Sequence, residues 1–257
     1  MAELIFLGTC SGTEPMPKMH HTSTLLKVNG AIYLFDCGEC AGHTAYTLLG
    51  DEVYNTRAIF ISHPHIDHIG GLPHLMFVLH KRLSLLPDAP VKLHGVDFFI
   101  PDSEVFSAIK TVASGGSRYF GYAIREHGIS DGIIYEDENI RLHALHNKHL
   151  GEADERGFRS FSFLAELEGK KIVFSGDVSA PCELDALIGN GCDALIMETG
   201  HHKVSAVLDY AAKRNVGTLY FTHHGREIIG AREESERLAS LHPQNACLAT
   251  DGLKIQI

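Results

Sequence analysis

The chain has 257 residues, with 22 basic against 32 acidic side chains and a formal net charge of −10. Hydrophobic residues make up 44% and mean hydropathy is −0.01, enough core material for one compact domain and too much for a disordered chain. The acidic balance disfavours long RNA or DNA, whose binding rests on phosphate neutralisation, yet leaves a small anionic substrate open because bound cations supply local positive charge. No apolar run reaches membrane-spanning length, and the N-terminus lacks the basic, apolar and small-residue order of a signal peptide. A cytoplasmic location with no membrane partner is the expectation. Cysteines stand at 10, 37, 40, 182, 192 and 247, and the Cys37/Cys40 pair has no second pair at zinc-ribbon spacing, so reduced thiols are expected.

In chain order, 3–7, 24–28 and 31–35 read as strands, the last two joined at Asn29-Gly30, a hairpin turn signal. Residues 41–49 and 71–83 have helical spacing, with Leu72, Leu75, Met76 and Leu79 on a core face. Between them Ala58-Ile59-Phe60-Ile61-Ser62 reads as a buried strand. Strands are expected at 91–94 and 141–145, and 101–112 opens with proline and acidic residues as helices do. The stretch 115–130 carries little pattern. Its Arg118, Tyr119, Phe120 and Tyr122 suit either a mobile lid or an ordinary surface insertion. A second hairpin spans 161–168 and 171–175 around Glu168-Gly169-Lys170. A short helix near 183–188, a strand at 194–197, a helix at 203–214, a strand at 218–222, a helix at 232–241 and a strand at 246–249 follow. Two β-rich blocks, each followed by helices, predict an α/β (α+β) fold built as a four-layer αββα sandwich, one domain over 1–257.

The run His63-Pro64-His65-Ile66-Asp67-His68 follows the buried strand directly. In an extended segment residues i and i+2 point the same way, so His63 and His65 can share one cation. Asp67 and His68 lie where the chain must turn and can face a second one, as two-metal hydrolases require.

That run resembles the metal signature of the metallo-β-lactamase superfamily. Phe6-Leu7-Gly8-Thr9 and Phe35-Asp36-Cys37-Gly38-Glu39 resemble the branch containing ribonuclease Z and related phosphodiesterases, as do Phe174-Ser175-Gly176-Asp177 and Thr222-His223. The resemblance implies the metallo-β-lactamase fold and two divalent metal ions, zinc first, with manganese or iron as alternatives. It implies His63 and His65 on the first metal, Asp67, His68 and His223 on the second, and Asp177 bridging both. The neighbour of His223, His224, is its competitor. The third ligand of the first metal belongs at the end of the strand before Phe161, where His149 and His146 are both available and His149 is favoured. His201 stands 22 residues before His223, as the proposed general acid does in ribonuclease Z-like enzymes, with His202 as its rival. Glu198 would orient or charge that imidazole. Two metals acidify a bridging water, and Asp67 would orient the resulting nucleophile.

The chain departs from ribonuclease Z in one respect. That family inserts a long Gly/Pro-rich arm between the third histidine and the Ser-Gly-Asp motif, whereas 27 residues separate His149 from Asp177 here, and a hairpin consumes most of them. A phosphodiesterase for a small, cyclic or nucleotide-like diester is therefore expected over tRNA 3′ processing. Thioesterases and lactonases of the same fold are the runner-up, against which stands the lack of a Gly-His-Thr type pattern at His149. A metal-binding sensor is the non-enzymatic alternative. A homodimer is compatible with all of these.

Overall fold

The computed structural model describes residues 2–12, 17, 19–85, 95–116 and 120–257. Two units emerge from the chain's contacts: Met1–Gly8, His20–Gly128 and Asp251–Ile257 in the first, Thr9–Met19 and Ile129–Thr250 in the second. Each is built on one sheet.

In the first unit, β1 (Ala2–Gly8), β2 (Ser23–Val28) and β3 (Ala31–Phe35) form an antiparallel meander. Asn29 (φ 51°) and Gly30 (φ 87°) both take the left-handed conformation that a two-residue hairpin turn demands. The chain then runs through α1 (Ala41–Leu49), a 3-10 turn, β4 (Thr56–Phe60), α2 (Ile66–Ile69), α3 (Leu72–Leu85), β5 (Gly95–Phe99), α4 (Ser103–Ala113) and β6 (Ala123–His127). Strands β3 to β6 pair in parallel. Alternate strand residues Ile5, Leu7, Leu25, Ile32, Leu34 and Ile59 bury against Ala41, Leu72, Leu75, Met76, Leu79 and Phe106 of the helices. Each large side chain so buried contributes about 1.5–3 kcal/mol relative to exposure. Helix α4 starts after Pro101 because the Asp102 carboxylate caps it, accepting from the Glu104 and Val105 amides at 3.1 Å.

The second unit comprises β7 (Gly132–Glu136), β8 (Arg141–His146), β9 (Phe161–Leu167), β10 (Lys170–Phe174), α5 (Asp185–Ile188), β11 (Cys192–Thr199), α6 (Val204–Ala212), β12 (Val216–His224), α7 (Arg226–Gly230), α8 (Arg232–Leu241) and β13 (Asn245–Leu248). Its sheet runs β13-β12-β11-β10-β9-β8-β7, antiparallel from β7 to β10 and parallel from β10 to β13. Leu195, Met197, Leu219 and Phe221 pack with Val204, Val207, Leu208 and Ala211 of α6. The last strand, β14 (Lys254–Gln256), returns to the first unit beside β1 and completes the order β14-β1-β2-β3-β4-β5-β6. Asp36, His63 and Asp177 follow parallel-paired strands and Glu198 and His223 lie at the carboxyl ends of two more, where open α/β sheets bind ligands, while His149 follows the antiparallel β8.

The structure departs from the expectation at 115–130 and agrees with it at the strand before His149. The strand expected at 91–94 falls outside the described residues, and the strand seen next to β4 is Gly95–Phe99. The stretch 115–130 supplies β6, so it is part of the first sheet. Tyr122 is buried, 7% exposed, and Phe120 meets it and His80 edge-on, so neither residue is a mobile lid contact; Arg118 and Tyr119 lie outside the described residues. Strand β8 ends at His146, and His149 sits in the turn after it. Among the described residues no helix is long and apolar enough to cross a membrane.

Candidate metal centre

In the first unit β4 hands the chain to Ser62 and His63, and His65 stays extended (φ −64°, ψ 147°) as α2 begins. His63 Nε2 and His65 Nδ1 lie 3.0 Å apart, close enough for one cation to take both. Asp67 and His68 occupy the first turn of α2, with His68 fully buried and Asp67 8% exposed. His68 Nδ1 donates to Asp36 Oδ2 at 2.8 Å, which sets the tautomer and leaves the buried Nε2 3.7 Å from Asp67 Oδ2. Asp36 also receives the Ser62 amide at 2.7 Å and the Ser62 hydroxyl at 2.9 Å. The role of Asp36 is not legible from the Phe35-Asp36-Cys37-Gly38-Glu39 run, because its partner His68 lies 32 residues further on.

In the second unit one carboxylate gathers three imidazoles. Asp177, which follows β10 and is 2% exposed, places Oδ2 3.6 Å from His149 Nε2, 3.6 Å from His223 Nε2 and 3.7 Å from His201 Nδ1. The turn bearing His149 is pinned by Asn147, whose Oδ1 accepts from the His149 amide at 3.1 Å. Asn147 Nδ2 donates to Ser162 Oγ at 3.1 Å, and that hydroxyl donates to the Ser175 carbonyl at 2.6 Å. This buried chain couples the His149 turn to the loop of Asp177. His146, by contrast, directs both its amide and Nδ1 to Asp131 at 2.7 Å and stacks on Phe158, while His143 pairs with Glu166 at 3.0 Å. His149 is therefore brought to Asp177, and His146 and His143 are held elsewhere. His224 is buried with Nε2 on the Ala249 carbonyl at 2.8 Å, and burial pushes its pKa down to about 4. It is a neutral core residue.

Glu198, near the end of β11 and 1% exposed, accepts from the His201 amide at 2.9 Å and lies 3.1 Å from His201 Nδ1. Burial raises its pKa, but the hydrogen bonds from His201 and His223 outweigh that and hold it at about 2. The same hydrogen bond raises the pKa of His201, against the effect of burial. His202 Nε2 is occupied by the Val178 carbonyl at 2.9 Å and lies 3.3 Å from Glu198. His201 is 46% exposed on its side chain against 14% for His202, so its ring is the more accessible of the two.

His223 carries a positive φ of 50°, a costly conformation for a non-glycine residue and one that recurs at functional sites. Gly200 leaves room for the His223 ring: a Cβ there would lie 2.5 Å from His223 Nδ1 and 2.6 Å from Cε1. Sequence reasoning missed Gly200, whose position beside Glu198 and His201 was the available signal. Gly200→Ala is expected to displace the His223 ring and weaken metal binding by about 10- to 100-fold while leaving the core intact. Metal titration of the stripped chain measures this, and unchanged affinity would refute the contact's role.

Imidazole and carboxylate donors, buried at His63, Asp67, His68, Asp177 and His223, half-buried at His149 and exposed at His65, suit zinc, manganese or iron. The chain is 26% identical over 310 aligned positions to ribonuclease Z of Shouchella clausii (strain KSM-K16), covering 97% of this chain and 95% of that one. The fold matches the metallo-β-lactamase fold protein YhfI of Bacillus subtilis (TM-score 0.76, 17% identity, 99% of this chain and 98% of that one). It also matches the short form of human tRNase Z (TM-score 0.69, 20% identity, 99% of both chains). The fold is thus the expected α/β sandwich of the metallo-β-lactamase class. The ribonuclease names run against the expectation, drawn from net charge, that long nucleic acid is no partner. A family model described as anti-Pycsar protein Apyc1 matches residues 2–207. The chain belongs to that family, within the ribonuclease Z-like branch of the metallo-β-lactamase superfamily.

Proposed function

We propose that two divalent cations, zinc first, serve a phosphodiesterase whose substrate is a small anionic diester, cyclic or nucleotide-like. The chain is a metal-dependent hydrolase of phosphodiester bonds. The ligands would be His63, His65 and His149 for one cation, Asp67, His68 and His223 for the other, and Asp177 for both. The carrying observation is the buried Asp177 carboxylate with three imidazoles within 3.7 Å.

When bound, the cations supply Lewis acidity towards the phosphoryl group and acidify water. Asp36 fixes the tautomer of His68, and Asn147 fixes the turn of His149. Glu198 occupies Nδ1 of His201, so Nε2 is the atom left to protonate the departing alkoxide. Asp67 orients the attacking water.

The small-substrate reading rests on what this chain lacks relative to the ribonuclease. Between His149 and Asp177 lie 27 residues, and the β9–β10 hairpin takes up 161–174 of them. The alignment with ribonuclease Z runs over 310 positions, while 97% of 257 residues is about 249, so the relative carries some 60 positions with no counterpart here. The ribonuclease relatives themselves support the second reading, cleavage of tRNA 3′ ends. Purified chain loaded with zinc or manganese should be assayed on bis-aryl phosphodiesters, cyclic mononucleotides, a 3′-extended tRNA precursor, thioesters and lactones. Turnover of small diesters with the precursor left intact is the expected result. Efficient precursor cleavage, or turnover confined to thioesters or lactones, would replace this reading.

A further inference from the structure

A second group of metal-compatible donors lies in the first unit and shares no residue with the hydrolytic set. Donor atoms of His20, Glu39 and Cys40 all fall within 4.8 Å of one another. They come from two separate segments, the approach to β2 and the loop before α1. Glu39 is the hub. Its Oε1 lies 3.1 Å from His20 Nδ1, and its Oε2 accepts from the His21 amide at 2.6 Å and lies 2.9 Å from His21 Nδ1. The His20 amide donates to Asp251 Oδ2 at 2.6 Å. Cys40 occupies the N-cap of α1 with φ 65°, and its side chain makes no capping bond, so the thiol is not spent on the helix.

The His20-His21 backbone is wedged between two glycines. A Cβ on Gly8 would lie 1.9 Å from the His21 carbonyl oxygen, and one on Gly38 would lie 2.7 Å from His21 Cβ. That close approach holds the histidine segment against the Glu39-Cys40 loop in advance of any ligand. The fully buried Cys37 does not enter the group, which explains why the CxxC spacing does not act as a pair here.

We propose that His20, Glu39 and Cys40 form a mononuclear zinc site separate from the hydrolytic centre. One imidazole, one carboxylate and one thiolate are donors that zinc accepts and that harder cations such as magnesium do not favour. The divalent charge balances the carboxylate and the thiolate. On binding, the Cys40 S–H bond breaks, its proton leaves to solvent and a sulfur–zinc bond forms; water takes the fourth position. Such a site would staple the segment entering β2 to the start of α1. It does not depend on the proposed substrate or on the roles assigned to the hydrolytic ligands.

Cobalt reports sulfur ligation directly, because a sulfur-to-cobalt charge-transfer band appears in the near ultraviolet and nitrogen or oxygen donors do not produce it. The full chain, stripped with chelator and reloaded with cobalt, is expected to show that band. Cys40→Ser and His20→Ala are expected to lose it, whereas Asp177→Asn and Cys182→Ser, the latter at an exposed thiol, are expected to keep it. Zinc content should fall by about one equivalent per chain in Cys40→Ser, with phosphodiester turnover retained. Absence of the band in the parent, its survival in Cys40→Ser, or equal zinc content in parent and Cys40→Ser would overturn the proposal. Circular dichroism confirms that each variant is folded, and His20→Ala provides the reading should Cys40→Ser fail to fold.

Discussion

Asp177→Ala is expected to abolish turnover and to leave the hydrolytic centre unable to retain metal. The Asp177 carboxylate is 2% exposed and stands 3.6 Å from both His149 Nε2 and His223 Nε2. Outer partners that merely orient ligands cost roughly 10- to 100-fold in metal affinity when removed. A shared anionic donor must cost more, because its loss withdraws a ligand from both cations and the charge that lets them sit close together. The variant also offers a check against simple unfolding. Circular dichroism of the metal-free variant beside the metal-free parent shows whether the fold survives the substitution. Added zinc should raise the parent's melting temperature by more than the variant's. Asp177→Asn keeps the shape and removes the charge, and should behave like the alanine variant. Full metal content or turnover in either variant would overturn the bridging assignment.

What could be read from the chain in advance divides along the range of the interactions involved. Asn29-Gly30 and Glu168-Gly169 announce their hairpins because left-handed backbone is a local demand that few residues meet. Helices 41–49 and 232–241 are visible from spacing alone. Strand β6 is not, since it lies at the sheet edge and presents Arg125 and His127 to Asp97 across the ladder, which erases apolar alternation. The site follows the same division. His63, His65, Asp67 and His68 are contiguous and legible. Asp36 acts on a histidine 32 residues away, and Asn147 reaches Ser162 at a separation of 15. The rivalry of His146 and His149 turns on Asp131, also 15 residues from His146, which no local pattern could reveal.

His201→Ala is expected to keep its metal and lose rate in a way that depends on the leaving group. A positioned general acid contributes about 10²- to 10⁴-fold when the departing oxygen is basic, and little when it is already stable as an anion. Alkyl diesters should therefore slow by that range, and activated aryl diesters far less. His201 is suited to this role because its Nδ1 faces the buried Glu198 carboxylate while nearly half of the side chain remains exposed. Its neighbour is less suited, because the Val178 carbonyl already engages His202 Nε2. Glu198→Gln should reproduce the leaving-group pattern and add a loss of metal affinity, since the same carboxylate lies 3.8 Å from His223 Nδ1. His202→Ala should change neither metal content nor the leaving-group dependence. Equal slowing of alkyl and aryl diesters in His201→Ala would reduce His201 to a positioning role, and a leaving-group effect in His202→Ala instead would move the proton to that imidazole.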